Sequence, residues 1–193
     1  MKNGIALSVA AMVLSIGAAN ATENVAGGTL NFAGSVTDAT CTINGGNSAS
    51  MSIVLDPISV TQAGTTEGLI NDGKKAFSLE FSNCQSVASG FDPATSLLKL
   101  QFSSANTISN DGKYLINQEL NSQGNAKNVG IAIVKQNAET TPIALNQVFD
   151  TGVSGTGTTP DSVDFYAKYY KVGTNAAEAG QVTTMVTYNV TYM

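Results

Sequence analysis

The side chains that most often carry enzymatic chemistry are scarce in this sequence. The chain of 193 residues contains no His, and its only thiols are Cys41 and Cys84. Catalysis by serine–histidine–aspartate or cysteine–histidine arrangements needs an imidazole, so both are excluded as ordinarily built. Zinc sites that combine cysteine and histidine are excluded for the same reason. We therefore expect no catalytic site, no metal and no other cofactor.

The residues that could still do chemistry are carboxylates and tyrosines. Asp161 and Asp164 could form an acid–base pair or bind calcium. No calcium-loop spacing accompanies them, so a solvated turn followed by a strand start is the simpler interpretation. Tyr166, Tyr169 and Tyr170 could form a platform for carbohydrate. Aromatic side chains in strands more often pack against their cross-strand neighbours, and we favour that interpretation.

The first residues have the pattern of a secretion signal. Lys2 supplies a positive charge, an uncharged apolar run covers residues 5–19, and Ala19-Asn20-Ala21 offers small residues for cleavage. A membrane anchor is the alternative, but the run is shorter than the roughly 20 apolar residues that cross a bilayer. We expect residues 1–21 to be removed on export, with no stable membrane insertion.

The composition of the remaining 172 residues suits one exported domain with a sizeable core. Eight Lys and fourteen acidic residues give this part a formal charge of −6, and it contains no Arg. An acidic chain without Arg is not expected to bind nucleic acid. In an oxidising compartment Cys41 and Cys84 should form a disulfide, which would stabilise the fold by up to roughly 4 kcal/mol. Two free thiols are the alternative.

Hydrophobic residues alternate with polar ones along much of the chain. This period of two, with β-branched and aromatic residues at alternate positions, is typical of half-buried strands. Turn signals rich in Gly, Asn and Asp separate the runs, so an all-β sandwich is predicted. A short helical turn fits residues 60–64 or 87–94, and Lys168 and Lys171 mark the wetter side of their strand. The inward-facing sets are Phe77, Leu79 and Phe81; Leu98, Leu100 and Phe102; Val129, Ile131 and Ile133; and Val163, Phe165, Ala167 and Tyr169.

After the expected cleavage site the chain opens with a strand-like segment, residues 22–32. Ala26, Gly28, Leu30 and Phe32 fall on one face when this segment is extended. A terminal segment is usually poorly ordered unless something binds it. The segment can be a strand that is given to another chain or the first strand of the domain's own sheet, because the two have the same pattern.

The C-terminal end is also strand-like. The strand is predicted to start at Gly180 and to run to the end of the chain. An edge that is rich in β-formers and poor in charge invites pairing with another chain. Something must therefore cover this strand. One register of the segment contains Val182, Val186, Tyr188, Val190 and Tyr192.

These residues resemble the pilins assembled by the chaperone-usher pathway, of the type 1 and P pilus kind. In that family a glycine stands fourteenth from the C-terminus and a tyrosine is penultimate, as Gly180 and Tyr192 do here. The resemblance covers nearly the whole chain after the signal. Further segments resemble type 1 pilins in the same order: Gly27-Gly28-Thr29-Leu30-Asn31-Phe32, Ala39-Thr40-Cys41, Phe81-Ser82-Asn83-Cys84, Asn128-Val129-Gly130-Ile131 and Phe165-Tyr166-Ala167-Lys168-Tyr169-Tyr170.

The resemblance implies an incomplete immunoglobulin-like β-sandwich, completed by a donor strand from another subunit. Residues 22–32 would be the donor strand and residues 33–193 the pilin domain. A periplasmic chaperone would lend a strand first, and the next subunit's extension would replace it at the outer-membrane usher, which is β-augmentation. The donor residues would be Ala26, Gly28, Leu30 and Phe32, and the groove-edge and chaperone-contact residues would be Gly180, Val182, Val186, Tyr188, Val190 and Tyr192.

The sequence therefore predicts a shaft subunit of a bacterial surface fimbria that polymerises head-to-tail and supports adhesion. Its expected partners are copies of itself, other pilus subunits, the chaperone and the usher, and its destination beyond the periplasm is the cell surface. A fimbrial adhesin or carbohydrate-binding β-sandwich module is the alternative. A secreted hydrolase that depends on Asp161 or Asp164 is a third interpretation.

Overall fold

The computed structural model describes residues 39–46, 49–87, 89–118 and 124–192. The expected signal peptide and the proposed donor residues Ala26, Gly28, Leu30 and Phe32 lie outside this part of the chain. The described residues form two antiparallel sheets, which confirms the all-β prediction. The strands are β1 (Ala39–Ile43), β2 (Gly68–Leu69), β3 (Lys75–Ser86), β4 (Leu98–Ser103), β5 (Val129–Lys135), β6 (Val148–Asp150), β7 (Asp161–Lys171) and β8 (Thr187–Tyr192).

The first sheet is built around β7. One edge of β7 pairs with β3, from Asp161 opposite Phe81 to Ala167 opposite Lys75, and the short β2 continues along the same edge. The other edge pairs with β5. β1 pairs with β3 at the outside, with a register shift between Thr40 and Thr42. The disulfide between Cys41 and Cys84 joins these two strands, as predicted.

The second sheet has the order β6-β4-β8, so β8 is a terminal strand of this sheet. β4 carries a regular alternation in which Leu98, Leu100 and Phe102 are buried and the residues between them are half-exposed. Since successive side chains point to opposite faces of a strand, one face of this sheet lines the core and the other is polar. The register runs from Leu98 opposite Tyr192 to Ser103 opposite Thr187.

The core lies between the two sheets and is centred on aromatic rings. Phe165 of β7 stacks on Phe77 and meets Phe102 edge-on, with ring centroids 5.2 and 5.6 Å apart. Leu79 and Phe81 of β3 are buried in the same cluster. Offset and edge-to-face arrangements suit the quadrupoles of aromatic rings. The inward-facing sets predicted for β3, β4, β5 and β7 all belong to this core or pack against it, except Val129, which is buried outside the cluster.

The two lateral sides of the sandwich differ. On one side the Lys135 ammonium of β5 donates to the Asp150 carbonyl of β6 over 2.6 Å and lies 4.9 Å from the centre of the Phe149 ring. This cation–π contact links the two sheets there. On the other side β1 lies next to β8. On this second side the C-terminal strand β8 is the edge strand of its sheet.

A single short helical turn was predicted, either at residues 60–64 or at residues 87–94. The first forms helix α1 (Val60–Ala63), which begins with a capping box in which the Ser59 side chain accepts from the Gln62 amide and Gln62 accepts from the Ser59 amide. At the second, residues 89–94 form turns and not a helix. Among the described residues no helix is long and apolar enough to cross a membrane.

The prediction that Lys168 and Lys171 mark a wetter side of β7 is wrong. Their side chains are buried, at 1% and 0% exposure. The two residues are three positions apart in β7, so they point to opposite faces of the sheet, and each ammonium finds acceptors there. Lys171 donates to the carbonyls of Val172 and Gly173. A buried charge is tolerated when its hydrogen bonds are satisfied, and an alternation pattern cannot show that loops supply the acceptors.

The Lys168 ammonium is held by two loops. It donates to Asn71 Oδ1 over 3.1 Å and to the Glu139 carbonyl over 2.9 Å, and it lies 3.2 Å from Glu139 Oε2. The same carboxylate accepts from Lys74 over 2.6 Å. The hydrogen bond from Lys74, followed by that from Lys168, lowers the pKa of the Glu139 carboxyl. Glu139 is therefore the charge that compensates a buried ammonium.

We expect the substitution Glu139→Gln to lower stability in a pH-dependent way. Because the folded-state pKa of Glu139 lies below its ordinary value of 4.5, its contribution is present above pH 4.5 and is lost as the pH falls through the lowered value. The free energies of unfolding of wild type and variant should differ at pH 7 and converge below pH 4.5. Denaturant unfolding across this range measures the difference.

The matched control for this prediction is Glu178→Gln. Glu178 pairs with Lys127 over 2.8 Å, but both side chains are more than half exposed. Exposed ion pairs contribute little to stability. The role assigned to Glu139 would be contradicted if the difference in free energy of unfolding between Glu139→Gln and wild type were the same at every pH. It would also be contradicted if Glu139→Gln and Glu178→Gln had the same free energies of unfolding across the pH range.

Candidate assembly site

The C-terminal strand is shorter than predicted. The regular pairing of β8 with β4 begins at Thr187, whereas the sequence pattern predicted a strand from Gly180. Residues 181–186 lie outside this ladder and form hydrogen bonds elsewhere. The Gln181 amide donates to Gly124, Gln118 donates to Thr183, and the Thr107 hydroxyl donates to the Met185 carbonyl. Alternation alone could not distinguish these loop contacts from a strand ladder.

Asn117 fixes the approach to β8. Its side-chain amide donates to the carbonyls of Ala126 and Gln181 over 2.9 and 2.8 Å, and its Oδ1 accepts from the Thr183 amide over 3.0 Å. The residue is almost wholly buried. A buried amide with three hydrogen bonds holds two segments in one arrangement. Sequence reasoning missed Asn117, because a single Asn in a loop carries no periodic signal.

Gly180 lies under the same loop and away from the β8 ladder. A Cβ atom at this position would come within 2.6 Å of the Gly124 carbonyl oxygen, and closer still to the backbone of Asn125 and Ala126. Backbone atoms at that distance cannot be displaced cheaply. The structure thus gives Gly180 a role in close backbone packing, seven residues before β8 begins.

The inward register of the C-terminal segment follows the predicted positions. Val190 and Tyr192 are buried, and Val182, Val186 and Tyr188 are half-buried against the core. Thr183, Met185 and Thr187 are exposed, whereas Thr184 is half-buried in the same register as Val182 and Val186. The segment therefore has one inward face that is apolar except at Thr184, and that face is less covered before Val190 than from Val190 onwards.

A second segment, residues 49–58, contacts this face at Tyr188. The Tyr188 hydroxyl donates to the Ala49 carbonyl over 2.6 Å, and burial raises the pKa of this phenol. Ile53 and Leu55 beyond Ala49 pack half-buried against the core, while the residues on either side of each are exposed. The alternation is that of a strand, although no strand is assigned to residues 49–58.

The side of the sandwich shared by β1 and β8 therefore carries partly covered core residues. We call it the assembly side. Half-buried apolar side chains can gain from further cover, because burying apolar surface is favourable in proportion to its area. The residues concerned are Cys41 and Ile43 of β1, Ile53 and Leu55 of residues 49–58, and Val182, Val186 and Tyr188 of the C-terminal segment.

Tyr192 anchors the end of β8 to two loops. Its ring lies 4.6 Å from the Phe91 ring, and its hydroxyl donates to the Ser154 carbonyl. Burial, followed by the charge of Asp161, raises the pKa of this phenol. The penultimate tyrosine is thus a packed and hydrogen-bonded core residue of its own subunit.

The disulfide lies beneath the loop that Tyr192 holds. The Cys84 amide donates to the Gly155 carbonyl over 2.9 Å. A Cβ atom on Gly155 would come within 2.8 Å of Cys84 Sγ and 2.7 Å of a methyl of Leu98. Gly155 also has a positive φ of 65°, which favours glycine. This loop can therefore close over the disulfide only with glycine at position 155.

The carboxylates and tyrosines considered for chemistry have structural partners. Asp161 accepts from the Gly155 amide. Asp164 accepts from the hydroxyls of Ser78 and Ser162, and these hydrogen bonds lower its pKa. Tyr170 is buried and stacks on Tyr114 at 4.8 Å. Within the described residues no three His, Cys, Asp or Glu side chains come together as metal ligands would.

Comparison with known proteins shows to which protein family this chain belongs. The family model for fimbrial protein matches residues 30–193. The chain belongs to this family. The match includes both β1 and β8, the two strands of the assembly side.

Two curated relatives are fimbrial subunits. The chain is 30% identical over 185 residues to the major fimbrial subunit SMF-1 of Stenotrophomonas maltophilia (strain K279a), covering 92% of this chain and 99% of that protein. It is 30% identical over 182 residues to the S-fimbrial protein subunit SfaA of Escherichia coli O6:K15:H31 (strain 536 / UPEC), covering 90% and 88%. The chain is thus a structural subunit of a bacterial surface fimbria.

A solved structure shares the fold. A subunit of a chaperone-usher pilus, determined to explain rod uncoiling, superposes with a TM-score of 0.57 at 20% identity, covering 86% of this chain and 96% of that one. The predicted immunoglobulin-like sandwich is confirmed. The resemblance to chaperone-usher pilins noted in the sequence is confirmed as well.

We expect Gly180→Ala to destabilise the fimbrial subunit. The added Cβ would overlap the backbone at Asn125 and Ala126, and overpacking of this kind costs about 1–3 kcal/mol. Gly157→Ala is the matched control, because its nearest neighbour would be 3.5 Å away. Denaturant midpoints measure both. Equal midpoints for the two variants would rule out the proposed packing role.

We expect substitutions of Tyr192 to distinguish the contribution of its ring to stability from that of its hydroxyl. Tyr192→Ala removes a buried ring and should cost about 3–5 kcal/mol. Tyr192→Phe removes only the bond to the Ser154 carbonyl and should cost about 1 kcal/mol. Tyr188→Phe, whose hydroxyl bonds an exposed carbonyl at Ala49, should cost less. Denaturant unfolding measures these costs. If Tyr192→Ala lowered the free energy of unfolding no more than Tyr188→Phe does, the role of Tyr192 as an anchor of β8 would be refuted.

Proposed function

We propose that this fimbrial subunit polymerises head-to-tail by donor-strand exchange. The observation that carries the proposal is the assembly side, where β8 ends its sheet beside β1 and apolar side chains are only half-buried. A strand added along this side would cover Val182, Val186 and Tyr188. Such β-augmentation obtains affinity from main-chain hydrogen bonds and specificity from alternate side chains.

The donor in this proposal is segment 22–32 of the next copy. Ala26, Gly28, Leu30 and Phe32 share one face of an extended chain, and the glycine suits the place of closest approach. Burying Leu30 and Phe32 would contribute about 3–6 kcal/mol before ordering costs, at about 1.5–3 kcal/mol for each large apolar side chain.

We further propose that the donor runs antiparallel to β8. The strand pairs in both sheets of the described part are antiparallel. Antiparallel pairing is also slightly more stable per residue than parallel pairing. The end of the donor nearest its own domain then lies beside residues 182–186, just before β8 begins at Thr187.

The donor and the assembly side are different surfaces of the chain, so the contact is heterologous. A heterologous contact that does not close on itself generates an open filament. The function proposed is therefore polymerisation, with no enzymatic step, and copies of this chain and other pilus subunits as partners. The fibre would support adhesion.

Assembly needs cover for the assembly side before the next copy arrives. We propose that a periplasmic chaperone lends a strand along β8, in contact with residues 180–192, and that the outer-membrane usher exchanges it for the donor. Removal of residues 1–21 on export and oxidation of Cys41 and Cys84 in the periplasm belong to the same route. Uncovered β-rich edges aggregate, which is the physical reason for a chaperone.

The test removes the donor and adds it back. A chain of residues 33–193 should be marginally stable, and a peptide of residues 22–32 should raise its thermal midpoint in a concentration-dependent way, as expected for a ligand that binds only the folded state. A peptide with Leu30→Asp is the control and should stabilise far less. A truncated domain that is already fully stable, and whose midpoint the peptide leaves unchanged, would disprove strand exchange.

A further inference from the structure

We infer that consecutive subunits also touch end to end, with the region of Val87 on one copy packing against the region of Met185 on the next. This inference rests on the proposed strand exchange and adds a second contact to it. Its partner is a second copy of this chain. It concerns the two ends of the sandwich, between which the assembly side runs.

The first end, which we call the disulfide end, exposes apolar side chains. β1 begins here, β3 ends here, and β8 ends here beside the start of β4. Gly155 packs between Leu98 and Cys84, which places both sheets at this end. Val87 is 93% exposed and Leu97 is 45% exposed. Phe91 lies half-buried against Tyr192.

The opposite end presents Met185. This residue is 60% exposed and stands two positions before β8. Its carbonyl accepts from the buried Thr107 hydroxyl over 2.7 Å, so its backbone is fixed. A methionine side chain adapts to irregular apolar surfaces. The two ends are separated by β8, whose six residues span about 17 Å.

The chain's connectivity brings these two ends together. The N-terminal segment enters the domain at Ala39, which pairs with Ser86, so it joins next to Val87. An antiparallel donor has its domain-proximal end beside residues 182–186 of the accepting copy, and Met185 belongs to this stretch. Residues 33–38, the first of the predicted pilin domain, separate the donor segment from Ala39, and six residues span at most about 20 Å. The disulfide end of one copy therefore faces the Met185 end of the other.

Single exposed apolar residues are common on soluble proteins and need no partner. The inference depends instead on their positions. Val87 and Leu97 lie at the end from which a donor leaves, and Met185 lies at the end where that donor arrives. Apolar surface on both sides of a tethered contact gains from burial, and the tether supplies a high effective concentration.

Cysteine cross-linking tests this contact in assembled fibres. In the full chain carrying Val87→Cys and Met185→Cys, oxidised fibres boiled in detergent without reductant should give a ladder of covalent multimers. The native cysteines are bonded to each other and do not compete. The matched control pairs Val87→Cys with Val148→Cys, an exposed residue on the lateral strand β6, and should give monomers. Fibres of the first variant that give only monomers would overturn the inference.

A second variant keeps the inference testable if added cysteines impair assembly. Val87→Asp fibres should dissociate at a lower guanidinium concentration than wild-type fibres, while Val148→Asp fibres should not. The donor peptide of residues 22–32 should stabilise the truncated domain equally with either substitution. Loss of that peptide effect would count against strand exchange itself. An unchanged fibre midpoint for Val87→Asp, with the peptide effect intact, would count against the end-to-end contact alone.

Discussion

The position of β8 at the end of its sheet is the constraint on which the rest of the molecule depends. The strand pairs with β4 along one edge and turns an apolar face inward beside β1. Before Val190 that face is only half-covered, at Val182, Val186 and Tyr188. In the proposed strand exchange, the same uncovered surface that would promote aggregation of an isolated domain would supply free energy for polymerisation of the subunit.

The remainder of the fold holds β8 in place at both of its ends. Asn117 fixes the segment that enters it, and Gly180 lets the backbone of residues 124–126 pass close by. Tyr192 ties the end of the strand to Phe91 and Ser154, above the disulfide. A strand held at both ends keeps its register when a partner strand is exchanged beside it. Register matters here because a slip by one residue would reverse the apolar face.

The sequence predicted the periodic parts of the molecule well. The inward sets of β3 and β4, the disulfide and the apolar register of residues 182–192 all follow from alternation or from an even pair of cysteines in an exported chain. Prediction from the sequence failed where contacts between loops determine burial and strand boundaries. Burial of Lys168 depends on Glu139, which is 29 residues away, and the late start of β8 depends on Asn117. Contacts between distant loops leave no period in a sequence, so they could not be predicted.

The two family residues, Gly180 and Tyr192, show how an assembly motif can act through the fold. Their spacing suggested contacts with a partner, yet the structure gives each of them an intramolecular role. The glycine permits close backbone packing, and the tyrosine anchors β8. These roles do not compete with a part in assembly. A groove binds a foreign strand well only if its border is already rigid, since ordering it on binding would subtract from the affinity. In the proposed strand exchange, residues that stiffen β8 would contribute to polymerisation through this rigidity.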